Sequence, residues 1–296
     1  MATQTMGTMF PAEIVSDLFN KVQGKSSLAK LAEQKPVAFR GNDIFTFSMD
    51  NEINVVGEGA AHAAGGITVA PVQVRPVKVE YGARVSEEFM HAADEVQLDY
   101  LRDFNDGFAR KVARGLDIMA IHGLNPRTNA SATQITKFLD QGTKTVEYTA
   151  NSGDANIEAA VALLADYDNT GVAIDKTMSA DLAKENTKGI KHYPELAWGG
   201  QPDTLNGIPC SVNSTISVHA TSGATDHAIV GDFANYFKWG FGKDISMEII
   251  PYGDPDNSGK DLKGNGEVYI RAQAYIGWGI MDQNAFARVI TAAAGG

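Results

Sequence analysis

The sequence predicts a protein of the α+β class, on three observations. Residues 37 to 49 and 67 to 85 show period-two hydrophobicity on either side of a stretch rich in Gly and Ala, which is typical of a long hairpin. Residues 94 to 122 carry the longest amphipathic helical pattern in the chain. From residue 154 onward, short helical segments alternate with short apolar runs that indicate buried strands.

The N-terminal region, residues 1 to 36, is predicted to be an arm. Residues 1 to 11 lack periodicity, which is typical of a tail that is disordered or becomes ordered on assembly. A short amphipathic helix, interrupted at Gly24, is expected between residues 12 and 33. Its apolar residues before the interruption are Ile14, Val15, Leu18, Phe19 and Val22.

Residues 37 to 81 are predicted to project outward as a β-hairpin. The connecting stretch NEINVVGEGAAHAAGG is poor in residues that could form a core. Pro71 and Pro76 fit an exposed edge, because proline cannot donate a hydrogen bond to a neighbouring strand. A two-stranded ribbon is only marginally stable in water, so we expect poor order in an isolated chain and cover from another subunit on assembly.

Residues 82 to 153 are predicted to contain a helical turn at 85 to 93 and then the long helix at 94 to 122. At 1.5 Å per residue this helix spans roughly 40 Å. Its apolar stripe consists of Leu101, Phe104, Phe108, Val112, Leu116 and Met119. Gly123 and Pro126 end it, and a boundary is expected in the polar stretch that follows.

The remainder is predicted as an α/β region at 154 to 264 and a last segment at 265 to 296. Helices are expected at 154 to 167, with Ser152 or Asp154 as N-cap, and at 179 to 186. Strands are expected at 171 to 174, 208 to 212, 227 to 230, 245 to 250, 268 to 279 and 285 to 290. The last two strands flank Asp282, Gln283 and Asn284, which suggests a closing hairpin.

Composition excludes several classes of protein. A formal net charge of −11 and a pI near 5 argue against a protein that grips nucleic-acid phosphates, because that affinity depends on Lys and Arg. Cys210 is the single cysteine, so an intrachain disulfide or a Cys-rich zinc site is impossible. No signal peptide or uncharged apolar stretch of about 18 residues is present, and we expect a chain made in the cytoplasm with no membrane span.

Motifs for chemistry are weak throughout the sequence. FNKVQGKS resembles the end of a phosphate-binding loop, but Phe19 stands where that loop needs a glycine. The six histidines are scattered, with no spacing typical of a metal site, and are interpreted as polar surface or satisfied interior. Cys210 lies in the apolar NGIPCSV and is interpreted as a packing residue. We therefore predict no catalytic residue, cofactor or metal site, and no enzyme.

One loop leaves two interpretations open. Asp254, Asp256 and Ser258, followed by Gly259, match the first half of a calcium-binding loop, with oxygen ligands at alternate positions. The twelfth position is Asn265 instead of a bidentate glutamate, and the flanks are predicted strands instead of helices. A polar hairpin tip is the favoured alternative.

Four segments carry a resemblance to a known family: VKVEYGARVSEEFMHAADEVQLDYLRDFNDGFARKVARGLDIMAIHG, TLNGIPCSVNSTI, HAIVGDFANYFKWGFGKDISMEII and VYIRAQAYIGWGIMDQNAFARVI. In this order they resemble HK97-like phage major capsid proteins. The resemblance implies an N-terminal arm at 1 to 36, an extended loop at 37 to 81 and a peripheral domain at 82 to 153 with spine helix 94 to 122. It further implies an axial domain at 154 to 264 and a return to the peripheral domain at 265 to 296.

The function implied by the resemblance is self-assembly into hexamers and pentamers of an icosahedral head that encloses double-stranded DNA without binding it specifically. A portal protein is expected as a partner, as is a separate scaffolding protein, since no long coiled-coil-like extension precedes the arm; a decoration protein is a further partner. The chain would act in the virion after assembly in the host cytoplasm. An encapsulin-like compartment shares the fold and is the alternative, and a hydrolase or transferase with an α/β domain is the alternative from another class.

Contacts between subunits are expected where the acidic hairpin meets basic side chains of a neighbour. The predicted contact residues are Phe47, Asn54, Val56, Glu58, Arg75, Lys78, Arg84, Arg110 and Arg114. Some relatives link subunits covalently through a lysine of the extended loop. No lysine lies between Lys35 and Lys78, so no such cross-link is expected here.

Overall fold

A computed structural model describes residues 25–38, 40–49, 53–62, 64–91, 94–220 and 223–293. Five α-helices are present in these ranges: α1 (Ser27–Leu31), α2 (Asp94–His122), α3 (Gly153–Ala162), α4 (Lys176–Leu182) and α5 (Phe233–Tyr236). The first seven strands are β1 (Asn42–Met49), β2 (Ile67–Val74), β3 (Val77–Ser86), β4 (Thr145–Glu147), β5 (Gly171–Ile174), β6 (Asn186–Thr187) and β7 (Ile190–Lys191). The other six are β8 (Thr204–Leu205), β9 (Ile208–Val212), β10 (Thr225–Gly231), β11 (Phe237–Ile250), β12 (Glu267–Ile280) and β13 (Phe286–Thr291). The predicted tail and the helix before Gly24 lie outside the described residues.

Two sheets form the body of the protein. The larger has six strands in the order β4-β13-β10-β5-β9-β8, and it is mixed, because β4 runs parallel to β13 and β5 runs parallel to β9. The smaller is antiparallel, in the order β11-β12-β3. Two two-stranded ribbons, β1-β2 and β6-β7, complete the set of sheets in the described chain. The predicted α+β class is confirmed.

Each face of the six-stranded sheet covers its own apolar cluster, because successive strand residues point to opposite faces. On β10, Ile229 points to the main core, which contains α1, α2 and the inner face of β12. Its neighbours Ala228 and Val230 point instead to a second cluster under α3 and α4. The sheet is therefore buried on both sides, which fits the wholly apolar sequence of β5 and of residues 228 to 230 on β10.

Helix α2 has the predicted bounds. Gly123 ends it with a left-handed φ of 66° and donates its N–H to the carbonyl of Met119 at 3.0 Å. A side chain at this position would also collide with the ring of Phe138, since a Cβ atom would lie 2.6 Å from it. Glycine is thus required at this end for both backbone geometry and packing.

A buried carboxylate on α2 fixes the short helix α1. Asp117 is 0% exposed and accepts hydrogen bonds from the N–H groups of Ser27 at 3.0 Å and Leu28 at 3.2 Å. It also accepts from the hydroxyl of Thr215 at 2.8 Å and from that of Ser26. The first N–H groups of a helix have no partner within the helix, so this carboxylate supplies what the end of α1 needs.

The predicted strand at 67 to 85 is in fact two strands that separate at Arg75 and Pro76. β2 pairs with β1 over its full length, whereas β3 leaves the ribbon and pairs with β12. Proline removes an N–H donor and restricts the preceding residue, so the pairing changes there. The predicted ribbon itself is confirmed, with Asn42 opposite Val74 and Met49 opposite Ile67.

The closing hairpin predicted around Asp282 is wrong. Both edges of β12 are occupied, by β11 and β3, while β13 lies between β10 and β4 in the other sheet. Asp282 caps a 3-10 turn at Gln283–Ala285 by accepting from the N–H of Asn284 at 2.8 Å. The polar residues there therefore mark a passage between sheets.

Other predicted bounds also change. The helix expected at 179 to 186 begins at Lys176, because Asp175 accepts from the N–H of Met178 at 2.7 Å as its N-cap. The strand expected at 245 to 250 begins at Phe237. α3 ends at Ala162, and its N-cap Ser152 makes no side-chain capping bond.

The division predicted at residues 154 and 265 does not follow the sheets. β4 and β13 lie outside the predicted 154 to 264 region but belong to the six-stranded sheet, whereas β11 lies within that region but belongs to the three-stranded sheet. The chain therefore crosses between the two sheets more often than the sequence indicates. Among the described helices, none combines the length and apolar composition needed to cross a bilayer.

Candidate functional site

The β1-β2 ribbon exposes an apolar face. Opposite residues of an antiparallel pair share a face, and Phe45 lies opposite Pro71 while Val69 lies two positions away on the same face. Phe45 is 68% exposed, Val69 53% and Ile67 60%. An exposed apolar face of this kind often marks a surface of interaction, so this face is a candidate contact surface.

The segment that joins the two strands adds to this surface. Within the described residues 53 to 66 there is no regular structure, and Ile53 and Val55 are each 95% exposed. Of the thirteen large apolar side chains that are exposed among the described residues, six lie between Phe45 and Val69. Exposed apolar surface is concentrated in residues 42 to 74. From here on we call these residues the arm, which is distinct from the N-terminal arm predicted at residues 1 to 36.

The base of the arm is anchored to the three-stranded sheet. Val74 is 2% exposed and packs over two glycines of β12. A Cβ atom at Gly279 would lie 2.6 Å from a methyl carbon of Val74, and one at Gly277 would lie 3.4 Å from the other methyl. Small residues on β12 thus leave room for the base of the arm, while its outer part contacts solvent.

Three of the predicted contact residues lie on the exposed part of the arm. Asn54, Val56 and Glu58 are exposed, with Glu58 in a turn near the tip. Phe47 pairs with Val69 through the backbone register, and its side chain lies outside what the structure describes. Their role between subunits stays a prediction.

The predicted basic residues are not gathered in one place. Arg75 is exposed at the corner between β2 and β3, and Lys78 pairs with Glu80 of the same strand at 3.3 Å. Arg110 and Arg114 are exposed one turn apart on α2. The structure therefore offers separate basic positions for contact with a neighbour.

Arg84 differs from the others because it is occupied within the chain. Its guanidinium bonds Asp254 at 2.9 Å, Asp256 at 2.6 Å and Glu267 at 3.0 Å. It also donates to the carbonyl of Lys260 at 2.9 Å. Hydrogen bonds to Asp256 and Glu267 raise the pKa of Arg84, and the bond to Arg84 lowers the pKa of Asp256.

These contacts help to decide whether the loop that contains Asp254 and Asp256 is a calcium-binding loop or a polar hairpin tip. The loop joins β11 to β12, as expected for a hairpin tip, and Asp254 accepts from the N–H groups of Ser258 and Gly259. Arg84 supplies the positive charge that a cation would otherwise supply to Asp254 and Asp256. The polar hairpin tip is therefore the better interpretation.

A buried charged cluster that sequence reasoning missed joins α2 to the six-stranded sheet. Arg288 of β13 donates to both oxygens of Asp226 on β10, at 2.7 and 2.9 Å. His122 contacts Asp140 through Nδ1 at 2.8 Å and the carbonyl of Thr215 through Nε2 at 3.0 Å. A carbonyl and a carboxylate both accept, so each ring nitrogen must donate, which requires the protonated imidazolium.

The environment of His122 agrees with this protonation state. Burial alone lowers the pKa of His122, but the hydrogen bond to Asp140 and the charges of Asp140 and Asp226 outweigh it and raise the pKa above its usual value. Burial and the charge of Asp140 raise the pKa of Asp226 to about 6 despite Arg288. One imidazole and two carboxylates lie close enough to hold a divalent ion, but Arg288 already pairs with both carboxylates. The arrangement is a structural ion cluster.

The remaining histidines and the cysteine fit their predicted roles. His227 is buried and contacts Asp175 at 3.1 Å, whereas His62, His91, His192 and His219 are exposed. Cys210 is fully buried in the cluster under α3 and α4, and burial raises the pKa of its thiol to about 11. Such a thiol stays protonated and acts as a packing residue.

Comparison with known proteins gives consistent results. A family model described as the phage capsid family matches residues 7–289. A solved structure from Mycobacterium phage Ogopogo is 33% identical, with a TM-score of 0.78, and the match covers 90% of this chain and 92% of that one. A structure from Gordonia phage Cozz is 23% identical, with a TM-score of 0.73 and coverage of 91% and 87%. A search of curated proteins found no match.

A further solved structure comes from a capsid of a native GTA particle, computed with C5 symmetry. It is 16% identical, with a TM-score of 0.65, and the match covers 99% of this chain and 95% of that one. At such identity, this likeness and that to the Gordonia phage structure concern the fold alone.

Proposed function

Because this chain belongs to the phage capsid family, we propose that it assembles into hexamers and pentamers, which close an icosahedral head around double-stranded DNA. The chain is a capsid shell protein of the phage type, since the family match spans nearly its whole length. Structures of the same fold include an assembled capsid.

The observation that carries this proposal is the arm. It places Phe45, Ile67 and Val69 in solvent on one face of a ribbon that has no core of its own. Burial of such surface stabilises by about 25 cal/mol for each Å² removed from water. A neighbouring subunit is the cover that a repeating shell supplies to every copy at once.

The two sheets support a division of the subunit into two domains. We assign the three-stranded sheet and α2, from which the arm projects, to the peripheral domain of the capsid fold. The six-stranded sheet with α3 and α4 corresponds to the axial domain. This assignment follows the sheets and replaces the division at residues 154 and 265.

We propose that charged contacts between subunits form where the outer part of the arm meets a neighbour. Asn54, Val56 and Glu58 at its outer part would meet a neighbour, with Arg75, Lys78, Arg110 and Arg114 as the basic side. Arg84 is the least suited of the predicted set, because its guanidinium is bonded within the chain.

Enclosure of DNA without specific binding fits the net charge of −11, since phosphate binding depends on an excess of Lys and Arg. We further propose a separate scaffolding protein and a portal protein as partners during assembly, and a decoration protein as an external one. Their presence would be tested by purifying particles from infected cells and identifying the copurified chains.

A pair of substitutions tests the role of the arm. Val69→Glu places a charge on the exposed apolar face, whereas Thr68→Glu places the same charge on the opposite face of the same strand. Negative-stain microscopy should show shells or capsomers for the unaltered chain and for Thr68→Glu, and unassembled subunits for Val69→Glu. An unaltered chain that remains monomeric at high concentration, with residues 37 to 81 protected from protease, would refute the proposal.

A further inference from the structure

A groove of about 430 Å³ lies at the end of the six-stranded sheet where the parallel strands β5 and β9 finish. Lys176, Lys184 and Lys191 line it, and among the described residues no carboxylate does. Lys184 pairs with Asp181 at 2.9 Å, whereas Lys176 and Lys191 have no carboxylate at ion-pair distance within the described part of the chain. Two cationic side chains are thus left for a partner.

Trp198 stands out among the residues that line this groove. Its side chain is fully exposed, although the other two tryptophans of the chain, Trp239 and Trp278, are 0% and 7% exposed. Its backbone has a left-handed φ of 62°, which a bulky residue rarely adopts. Tryptophan is enriched among the residues that dominate binding between proteins. We call the surface formed by Trp198, Lys176 and Lys191 the basic end of the sheet.

A pocket of about 350 Å³ lies at the opposite end of the same strands. Asp168 precedes β5 by three residues, and Asp232 directly follows β10, which runs antiparallel to β5. The pocket combines three carboxylates with two aromatic rings, from Asp166, Asp168, Asp232, Tyr167 and Tyr236. Asp166 and Asp168 are exposed, and neither forms an ion pair with another described residue. We call these five residues the acidic pocket.

We propose, on the basis of the proposed function, that the basic end of one copy docks on the acidic pocket of a second copy. Lys176 and Lys191 would face Asp166 and Asp168, and opposite charges across an interface select the partner and fix its orientation. Trp198 would enter the pocket and meet its tyrosine rings, because aromatic rings pair favourably edge to face or offset. A second copy therefore offers both the charge and the ring surface that the basic end requires.

The placement of the two surfaces gives this contact a direction. They lie at opposite ends of β5, a strand of four residues that spans roughly 13 Å. Within one copy they face away from each other, and between copies they form a head-to-tail contact that joins two different surfaces. Each added copy leaves one basic end and one acidic pocket open, so the contact repeats until a ring closes. It would therefore link neighbours within one hexamer or pentamer.

Charge reversal tests the contact. Lys176→Glu with Lys191→Glu makes both surfaces acidic, and Asp166→Lys with Asp168→Lys makes both basic. Each double variant should form capsomers at least tenfold less than the unaltered chain, because like charges then meet at every contact. The chain with all four substitutions should assemble again. All four positions are exposed, so urea unfolding of the dilute variants should match that of the unaltered chain.

Mixing the two double variants gives a sharper result. Copies of the two kinds can alternate around a hexamer with opposite charges at every contact, whereas a ring of five must contain one contact between like charges. Electron microscopy of an equimolar mixture should therefore show hexamers without pentamers. A mixture that stays unassembled, or that forms pentamers as readily as hexamers, would overturn the proposal.

Fluorescence of Trp198 identifies the occupant. Since Trp239 and Trp278 are already buried, emission should shift to shorter wavelength when the purified chain assembles, and shells of Trp198→Phe should show no such shift. A shift that requires single-stranded DNA or another phage protein would mean a different occupant and would overturn the proposal. Double variants that assemble as the unaltered chain does would overturn this contact alone, whereas an unaltered chain that never assembles would refute the proposed function and this contact with it.

Discussion

Two regions of the molecule differ in how their side chains are covered. One is the junction between α1 and α2, and the other is the arm. At the junction, Asp117 is wholly buried and receives donors from Ser26, Ser27, Leu28 and Thr215. In the arm, apolar side chains lie in solvent, and the ribbon contacts the rest of the chain mainly at its base. The comparison teaches that the chain itself supplies the partners of the buried groups at this junction, whereas the described residues of the arm leave large apolar side chains uncovered.

The largest expected effect on the free energy of unfolding comes from a substitution at the junction between α1 and α2. Asp117→Ala leaves two N–H groups at the start of α1 and two hydroxyls without their acceptor in a buried site. We expect the free energy of unfolding to fall by about 4 kcal/mol, since unpaired buried donors each cost about 1–3 kcal/mol. Urea unfolding of dilute protein measures it. Asp117→Asn keeps an acceptor oxygen and should lose clearly less; equal losses would contradict this account.

A matched pair of truncations sharpens the comparison directly. Leu116→Ala removes a side chain that is 0% exposed and should lower the free energy of unfolding by about 3 kcal/mol, as core truncations do. Val69→Ala in the arm should change it by less than about 0.5 kcal/mol in the monomer. The same Val69→Ala change should weaken assembly, which light scattering measures. A large loss of monomer stability in Val69→Ala would mean that the arm packs against the body in the unassembled chain, which would contradict this account.

A smaller effect is expected from pH, through His122. Its pKa in the folded protein is raised, so its contribution to stability is complete below the unfolded pKa near 6.5 and is lost as pH rises toward the folded pKa. Between pH 7 and 8, stability should therefore fall with pH, by at most about 1.4 kcal/mol per pH unit for one proton. In this window Asp226 stays ionised and Cys210 stays protonated.

His122→Gln is the control for this measurement. It removes the titrating group at the end of α2, so urea unfolding should show a flatter dependence on pH than the unaltered chain. A variant with an unchanged slope would mean that another group is responsible. The arm contains no comparable buried histidine among its described residues, so its protease sensitivity should not follow the same pH dependence.

The smallest expected effect is an absence of change. Since no lysine lies between Lys35 and Lys78, the arm cannot supply the amine for a covalent link to a neighbour. Shells boiled in SDS should run as a monomer on a gel. A ladder of multimers would show that subunits are linked covalently and would contradict this expectation.

The sequence predicted the regular elements better than the contacts between them. Helix α2 and strands β5 and β9 follow from local periodicity, which tertiary packing reinforces. The prediction of a closing hairpin was wrong because β12 pairs with β3, and that pairing depends on residues far apart in sequence. His122, Asp226 and Arg288 are also separated widely, so no spacing reveals their cluster. Asp117 did give a signal, as a single carboxylate within the apolar run LDIMAIH.

The tip of the arm has a practical consequence. Gly57 and Gly59 have no neighbouring atom within 4 Å of an added Cβ, while at the base of the arm Val74 packs on β12 and Asn42 accepts from the N–H of Ala38. The entropy of closing a loop grows slowly, by about 0.6 kcal/mol for each doubling of its length. A peptide inserted between these glycines would therefore leave folding of the body intact, so that any defect in assembly would come from the contact proposed for Glu58.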